Sequence, residues 1–405
     1  MRVHPRSRSK MAGVQSDGEP KDSFVMAPEA FVLRIPDTAI ADLKTRLGLT
    51  RFPDAAPGEP WAYGTGVDYI RDLVSYWKDS FDWRAQEAAL NEFPQFKVPL
   101  NDVELHFLHV PGVGPSPYPL LLMHGWPGSV FEFLAIIPRL TDPARFGGDP
   151  EDAFTVIAPS LPGYGLSFKP GQKRFVLQDI AACLHELMTA TLGYPKFAAQ
   201  GGDWGAAVAS LIGQRYPSSV CGIHLNLLFG PREKVMVSSE SEARYYERLA
   251  HFLTEETGYQ QIQGTKPQTL AFGLTDSPVG LAAWIVEKFR TWSDNDGVPE
   301  SAISRDRLLA NVSFYWFTAA IGSSFWPYYG RLHGGLPISP DHPITVPTGY
   351  AAFPKEIVRP PRSIAERTYT NIQRWTEMKK GGHFAAMEQP AALAVEIQNF
   401  FRQLR

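Results

Sequence analysis

Cysteine is scarce in this chain, with Cys183 and Cys221 the only two among 405 residues. Two cysteines cannot build a disulfide framework, and they fit a reducing compartment in which each serves as a small buried apolar side chain. Long hydrophobic runs are missing too: no stretch of 18 or more apolar residues occurs, so no membrane-spanning helix is expected. The first 23 residues carry Arg2, Arg6, Arg8, Lys10 and Lys21 but lack the apolar segment of a signal peptide, and they read as a disordered leader. Neither sign of charge dominates. A formal net charge of -3, with acidic and basic residues mixed, gives no reason to expect nucleic acid or an anionic membrane as partner. There is no His-Glu-x-x-His, no closely spaced Cys pair and no Gly-x-Gly-x-x-Gly after a strand, and His106 and His109 have no spaced companions. No metal or organic cofactor is therefore implied, and a cytoplasmic protein is expected.

What the chain does have is apolar mass: 44% of residues are hydrophobic and 12% aromatic, enough for one large α/β domain with an insertion. Residues 24–118 form an irregular region with helices predicted at Asp37–Leu47 and Val67–Asp79, then strands at 96–100 and 104–110 joined by a turn at Asn101–Asp102. Alternation in the second strand sets Leu105, Phe107 and His109 on one side. The apolar run Pro119–Met123 has the character of a central parallel strand covered on both faces. Strand and helix then alternate: a helix over Val130–Leu140, a strand over Phe154–Pro159, a helix over Val176–Leu192, a strand ending near Ala199, and a strand over Val220–Leu228. A mostly parallel, doubly wound sheet flanked by helices follows from that alternation. The pattern stops near Phe229. From 230 to 340 the period is helical, with main segments at Ala243–Leu253, Pro278–Trp292 and Arg305–Ala320, and this block is expected to cover the carboxyl edge of the sheet as a lid. The sheet resumes at Ile344–Tyr350, adds a strand near Thr370–Trp375, and ends in a helix over Gln389–Gln403. The sheet core is thus 119–229 plus 341–405.

Gln200-Gly201-Gly202-Asp203-Trp204-Gly205-Ala206 carries the chemistry. It has the form Gly-x-nucleophile-x-Gly between a strand and a helix, with Asp203 where a serine hydrolase has Ser. A carboxylate there attacks and forms an ester. Taken alone, the heptapeptide fits an N-capping aspartate equally well. Chain order decides between them: Asp203, then an acid after the penultimate strand, then His383 in Gly381-Gly382-His383-Phe384-Ala385 before the last helix. That is the order of an α/β-hydrolase triad. Glu356, Glu366 and Glu377 are the candidate acids, and Glu356 follows the Ile344–Tyr350 strand most closely.

These motifs resemble those of the epoxide hydrolases of the microsomal type, within the α/β-hydrolase superfamily, from about Phe24 to the end. The resemblance rests on His124-Gly125-Trp126-Pro127-Gly128-Ser129, Gly201-Gly202-Asp203-Trp204-Gly205, Gly258-Tyr259-Gln260-Gln261-Ile262-Gln263, Ser277-Pro278-Val279-Gly280-Leu281-Ala282-Ala283-Trp284 and Gly381-Gly382-His383-Phe384. It implies an α/β-hydrolase fold with an inserted helical lid and an N-terminal arm, acting on a small apolar epoxide and water. Asp203 would open the oxirane and form an alkyl ester, and His383, oriented by Glu356, would activate water against that ester. Backbone N–H groups of Trp126 and Trp204 would hold the oxyanion. Two lid phenols would donate to the departing oxygen, since phenols stay protonated at neutral pH. Tyr245, Tyr246, Tyr259, Tyr315, Tyr328 and Tyr329 are available. The resemblance points to Tyr259 and, by counting from the serine pair, to Tyr328, with Tyr329 adjoining. Mammalian members carry a membrane anchor where this chain has its polar leader, so membrane attachment is not carried over. A homodimer is allowed by everything above.

Two rival readings use the same residues. A haloalkane dehalogenase shares the aspartate and the following Trp but places Asn where this chain has Trp126, and it has no task for two lid tyrosines. A catalytically silent ligand-binding protein on this fold has no need of an intact Asp203, His383 and Glu356.

Overall fold

A computed structural model describes residues 26–229, 237–336, 338 and 341–405. The expected leader at 1–23 and the first residues of the predicted lid lie outside that range. The chain opens with β1 (Glu29–Phe31) and three helices, α1 (Asp37–Gly48), α2 (Val67–Asp79) and α3 (Trp83–Asn91). Two of these helices match the periodicity. α3 was hidden by its shortness, although Asp82 caps it by accepting from the Arg84 and Ala85 amides.

β2 (Gln95–Leu100) and β3 (Val103–Val110) form a hairpin whose turn residues Asn101 and Asp102 both have positive φ, 50° and 67°, as a tight two-residue hairpin turn demands. Both faces of β3 are covered, so His106 and Leu108 are as buried as Leu105 and Phe107. His106 is a core histidine bonded to Ser160 Oγ and Gln95 Oε1.

The central strands follow: β4 (Tyr118–Met123), β5 (Phe154–Pro159), β6 (Phe197–Gly201), β7 (Val220–Leu225), β8 (Thr348–Ala352) and β9 (Ile372–Glu377). Between them run α4 (Ile137–Thr141), α5 (Leu177–Glu186) and α6 (Asp203–Arg215). The single helix predicted over Val130–Leu140 is instead a 3-10 turn at Val130–Phe133 followed by α4. Pro138, without an N–H, prevents one continuous hydrogen-bond ladder. The Ile344–Tyr350 strand is shifted too: pairing begins at Thr348, leaving Ile344 in an isolated bridge to Tyr369, since Pro343 and Pro347 bracket the earlier stretch.

The nine strands run in the order β1-β2-β3-β5-β4-β6-β7-β8-β9, antiparallel from β1 through the β3–β5 pair and parallel beyond. β4 lies between β5 and β6, so the chain reverses its direction of travel across the sheet there, the point at which open α/β sheets bind ligands.

Between β7 and β8 come α7 (Glu240–His251), α8 (Gly258–Thr265), α9 (Pro267–Asp276), α10 (Pro278–Trp292), α11 (Arg305–Thr318) and α12 (Trp326–Gly334). α8, α9 and α12 are too short for the periodicity to have revealed them. The N-terminal helices pack on this block: Trp77 Nε1 donates to Ser313 Oγ at 2.9 Å, Tyr76 donates to Asp306 and Tyr69 to Glu300. The arm therefore braces the lid as well as extending the sheet. α13 (Arg362–Ala365), α14 (Ala385–Glu388) and α15 (Pro390–Phe401) complete the chain. Among the described residues no single helix is long and apolar enough to cross a membrane.

Candidate active site

β6 ends at Gly201 and α6 begins at Asp203, so the backbone turns within one residue. Asp203 has φ +47°, a left-handed conformation that costs a non-glycine residue about 1–3 kcal/mol and is met mostly at functional positions. The neighbouring glycines are there for want of room. A Cβ on Gly205 would run into the Met123 carbonyl, and one on Gly125 into the Asp203 carboxylate. The two loops pack so closely that the backbone N–H of Trp126 donates to Asp203 Oδ1 at 2.8 Å. The Trp126–Pro127 peptide is cis.

His383 approaches from the other side. Its Nε2 lies 3.5 Å from Asp203 Oδ2 and its Nδ1 is 2.7 Å from Glu356 Oε1. Of the candidate acids, then, Glu356 is the one in contact with the imidazole; Glu366 and Glu377 pair instead with Arg362 and Arg359. Burial works against a charged His383, but the Glu356 and Asp203 carboxylates outweigh it and hold the imidazolium well above its ordinary range. Four consecutive amides fix the histidine loop. Gly381 donates to Asp294 Oδ2, Gly382 and Phe384 to the Glu388 carboxylate, and His383 to the Trp292 carbonyl.

Across a cavity lined by Leu227, Phe229, Leu249, Phe252 and Ile357, Tyr259 and Tyr328 face Asp203. Their rings are 5.7 Å apart, Tyr259 stacks on Trp126 at 5.2 Å, and Tyr328 stands edge-on to Trp204 at 4.8 Å. Tyr328 is 4% exposed whereas Tyr329 is 36% exposed and stacks on His333 outside, so Tyr328 is the member of the pair at the cavity. Burial, with the charge of Asp203 nearby, keeps the Tyr328 phenol protonated far above its usual range. Gln260 Nε2 donates to the Tyr259 hydroxyl. Tyr315 is elsewhere: it donates to the Gly128 carbonyl.

Sequence reasoning missed the residues that support this arrangement. Asn311 Nδ2 donates to the Pro127 carbonyl at 2.7 Å, while its Oδ1 accepts from Ser129 Oγ. With Tyr315 one turn later on α11, it clamps the Trp126 loop from above. α11 also carries Arg305, Asp306, Arg307, Ser313 and Thr318, so no local pattern singled out Asn311 and Tyr315. The arrangement offers a carboxylate able to act as a nucleophile, an amide aimed at one of its oxygens, an imidazole oriented by a second carboxylate, and two phenols opposite. Among the described residues no group of His, Cys, Asp and Glu could hold a metal ion.

Residues 28–133 match the family model described as epoxide hydrolase N terminus, and 118–254 the model described as alpha/beta hydrolase fold. A Stigmatella aurantiaca (strain DW4/3-1) protein assigned to the epoxide hydrolases is 45% identical over 93% of this chain and 85% of its own length. Epoxide hydrolase 1 of Oryctolagus cuniculus is 40% identical over 91% of this chain and 88% of its own. The solved structure of Aspergillus niger epoxide hydrolase superposes with a TM-score of 0.82 at 31% identity, covering 94% of this chain and 97% of that one. Juvenile hormone epoxide hydrolase from the silkworm Bombyx mori gives 0.84 at 30% identity, covering 94% and 95%.

Proposed function

Because this chain belongs to the epoxide hydrolases, its reaction adds water to an oxirane, and we propose that Asp203, His383, Glu356, Tyr259 and Tyr328 divide that reaction among them. Asp203 Oδ2 attacks a ring carbon while Tyr259 and Tyr328 donate to the departing oxygen, giving an alkyl ester. Oδ1 becomes the ester carbonyl oxygen, already aligned with the Trp126 N–H. Water then adds to the carbonyl carbon as His383 Nε2 takes its proton, and the charge that gathers on Oδ1 is held by the amides of Trp126 and Trp204. Collapse releases the diol.

Forming the ester also switches the histidine. In the free protein Asp203 helps to keep His383 protonated. Esterification removes that negative charge, so the imidazole releases its proton more readily when a base is needed.

The observation that carries this reading is the pairing of the Asp203–His383–Glu356 chain with two buried phenols on the opposite wall. Two phenols have work in opening an oxirane and none in displacing halide, which disfavours the dehalogenase alternative. The test is single-turnover hydrolysis of styrene oxide in heavy-oxygen water. Label is expected in the Asp203 carboxylate; label confined to the diol would mean direct hydration and would remove the two-step scheme.

A further inference from the structure

A polar chain reaches the Tyr259 hydroxyl from a second helix of the lid. Tyr328 and Arg331 stand one turn apart on α12 and both line the cavity, as does Gln260, the neighbour of Tyr259 on α8. The two helices lie close together: a Cβ on Gly264 would come within 3.1 Å of Leu332 and 3.4 Å of the Tyr328 carbonyl oxygen. Across that contact Arg331 Nη1 donates to Gln260 Oε1 at 3.3 Å, and Gln260 Nε2 donates to the Tyr259 hydroxyl at 2.9 Å. The Arg331 guanidinium also lies 5.9 Å from the centre of the Trp204 ring, a contact that keeps it beside the cavity. A guanidinium has donors and no acceptor, so the carboxamide oxygen of Gln260 must face Arg331 and its NH2 must face the phenol. The phenol oxygen accepts that bond, and its own proton points away from Gln260. With the carboxamide reversed, Gln260 would take that proton instead.

We propose that Gln260 and Arg331 form a relay that turns the Tyr259 proton toward the oxirane and steadies the phenolate left when that proton is given up. The proposal rests on the assignment of Tyr259 above. Asp203 Oδ2 bonds to a ring carbon, the bond from that carbon to the oxirane oxygen breaks with its pair on oxygen, and this oxygen takes the Tyr259 proton. The electron pair of the phenolic O–H bond stays on the Tyr259 oxygen. There the Gln260 N–H, polarised by the cation behind its carbonyl, bonds more strongly to the phenolate than to the phenol. Only an interaction that strengthens as charge develops speeds the step, and this one does. Water cleavage of the ester later leaves a proton on the Asp203 carboxyl, and its return to the phenolate restores both groups. The relay works through the phenol, so Gln260 and Arg331 are positioning residues for ring opening and have no part in hydrolysis of the ester.

A double-mutant cycle separates this role from a structural one. In rapid-quench single turnovers with styrene oxide, ester is followed by intact mass and diol by chromatography. Gln260→Leu, which has no N–H to offer, is expected to slow ester formation about tenfold and to leave hydrolysis of the ester within about twofold of wild type. Added to Tyr259→Phe, where no phenol remains to assist, the same change should slow ester formation no further; added to Tyr328→Phe, it should again cost about tenfold. A side chain that merely packed the lid would act equally in both backgrounds. Arg331→Lys keeps a charged donor and should stay within about threefold of wild type, while Arg331→Met should approach the Gln260→Leu rate; this pair also carries the test if the leucine variant does not fold. Unchanged ester formation in Gln260→Leu, a further fall when it is added to Tyr259→Phe, or equal rates in the two Arg331 variants would overturn the proposal. A Tyr259→Phe enzyme that forms ester at the wild-type rate would instead overturn the assignment of Tyr259, and the relay with it.

Discussion

In the proposed reaction two demands meet at Asp203 and His383: the imidazole must be held in place by carboxylates, yet must give up its proton on cue. The pH dependence of ester hydrolysis should reveal this. His383 must be neutral to act as base, so hydrolysis should rise with pH. Its midpoint should lie below the His383 pKa that NMR measures in the free enzyme, because the ester no longer carries the Asp203 charge. Coincident values would mean that esterification does not reset the histidine. Replacing His383 by Gln should leave ring opening in place and trap the alkyl-enzyme, visible by intact mass after mixing with substrate. In the proposed scheme the phenols act in the other half. Tyr328→Phe and Tyr259→Phe should each slow ester formation by about 100-fold and leave hydrolysis of preformed ester unchanged.

Among the elements, α11 matters beyond its role as cover, since Asn311 and Tyr315 hold the loop that presents the Trp126 amide. Asn311→Ala leaves the buried Pro127 carbonyl without this donor and should cost about 1–3 kcal/mol in chemical denaturation, along with a loss of turnover. Gly205→Ala should be at least as damaging, because the Met123 carbonyl it would meet belongs to a central strand that cannot move aside. The strands, the elbow and the triad order were legible because each leaves a local mark: an apolar run, glycines flanking an acid, a histidine between glycines and an alanine. The short helices α3, α8 and α12 leave little mark, since eight or nine residues carry barely two turns of periodicity. Asn311 could not be found locally, because its partner is tertiary: it meets Pro127 across 184 positions. Counting from the serine pair favoured Tyr328 over its neighbour Tyr329, but only the direction of each side chain from α12 shows which one faces the cavity.

Taken whole, the molecule buries ionisable groups of both kinds, and these set its pH stability. Burial lowers His106 to about 3, and His124 and His224 to about 4. Below the unfolded value near 6.5 the unfolded chain binds protons that these residues refuse in the fold, so stability falls as pH drops from 6.5 toward 4. Burial raises Glu132 to about 8 and Glu388 to about 7. Above the unfolded value near 4.5 the fold retains protons that the unfolded chain releases, so stability falls as pH rises. The two slopes cross near pH ~6, where urea midpoints measured over a pH series should peak. A midpoint flat from pH 4 to 8 would contradict these burial effects. The helical insertion, finally, is less a door than a keystone. Trp292 and Asp294 grip the histidine loop while Asn311 and Tyr315 grip the loop opposite, so lifting the whole insertion would dismantle the machinery it shelters. Among the described residues an opening for epoxide and diol lies at the rim beside Leu332 and Leu336, and bulk at those two positions should throttle throughput while the chemical steps keep their pace.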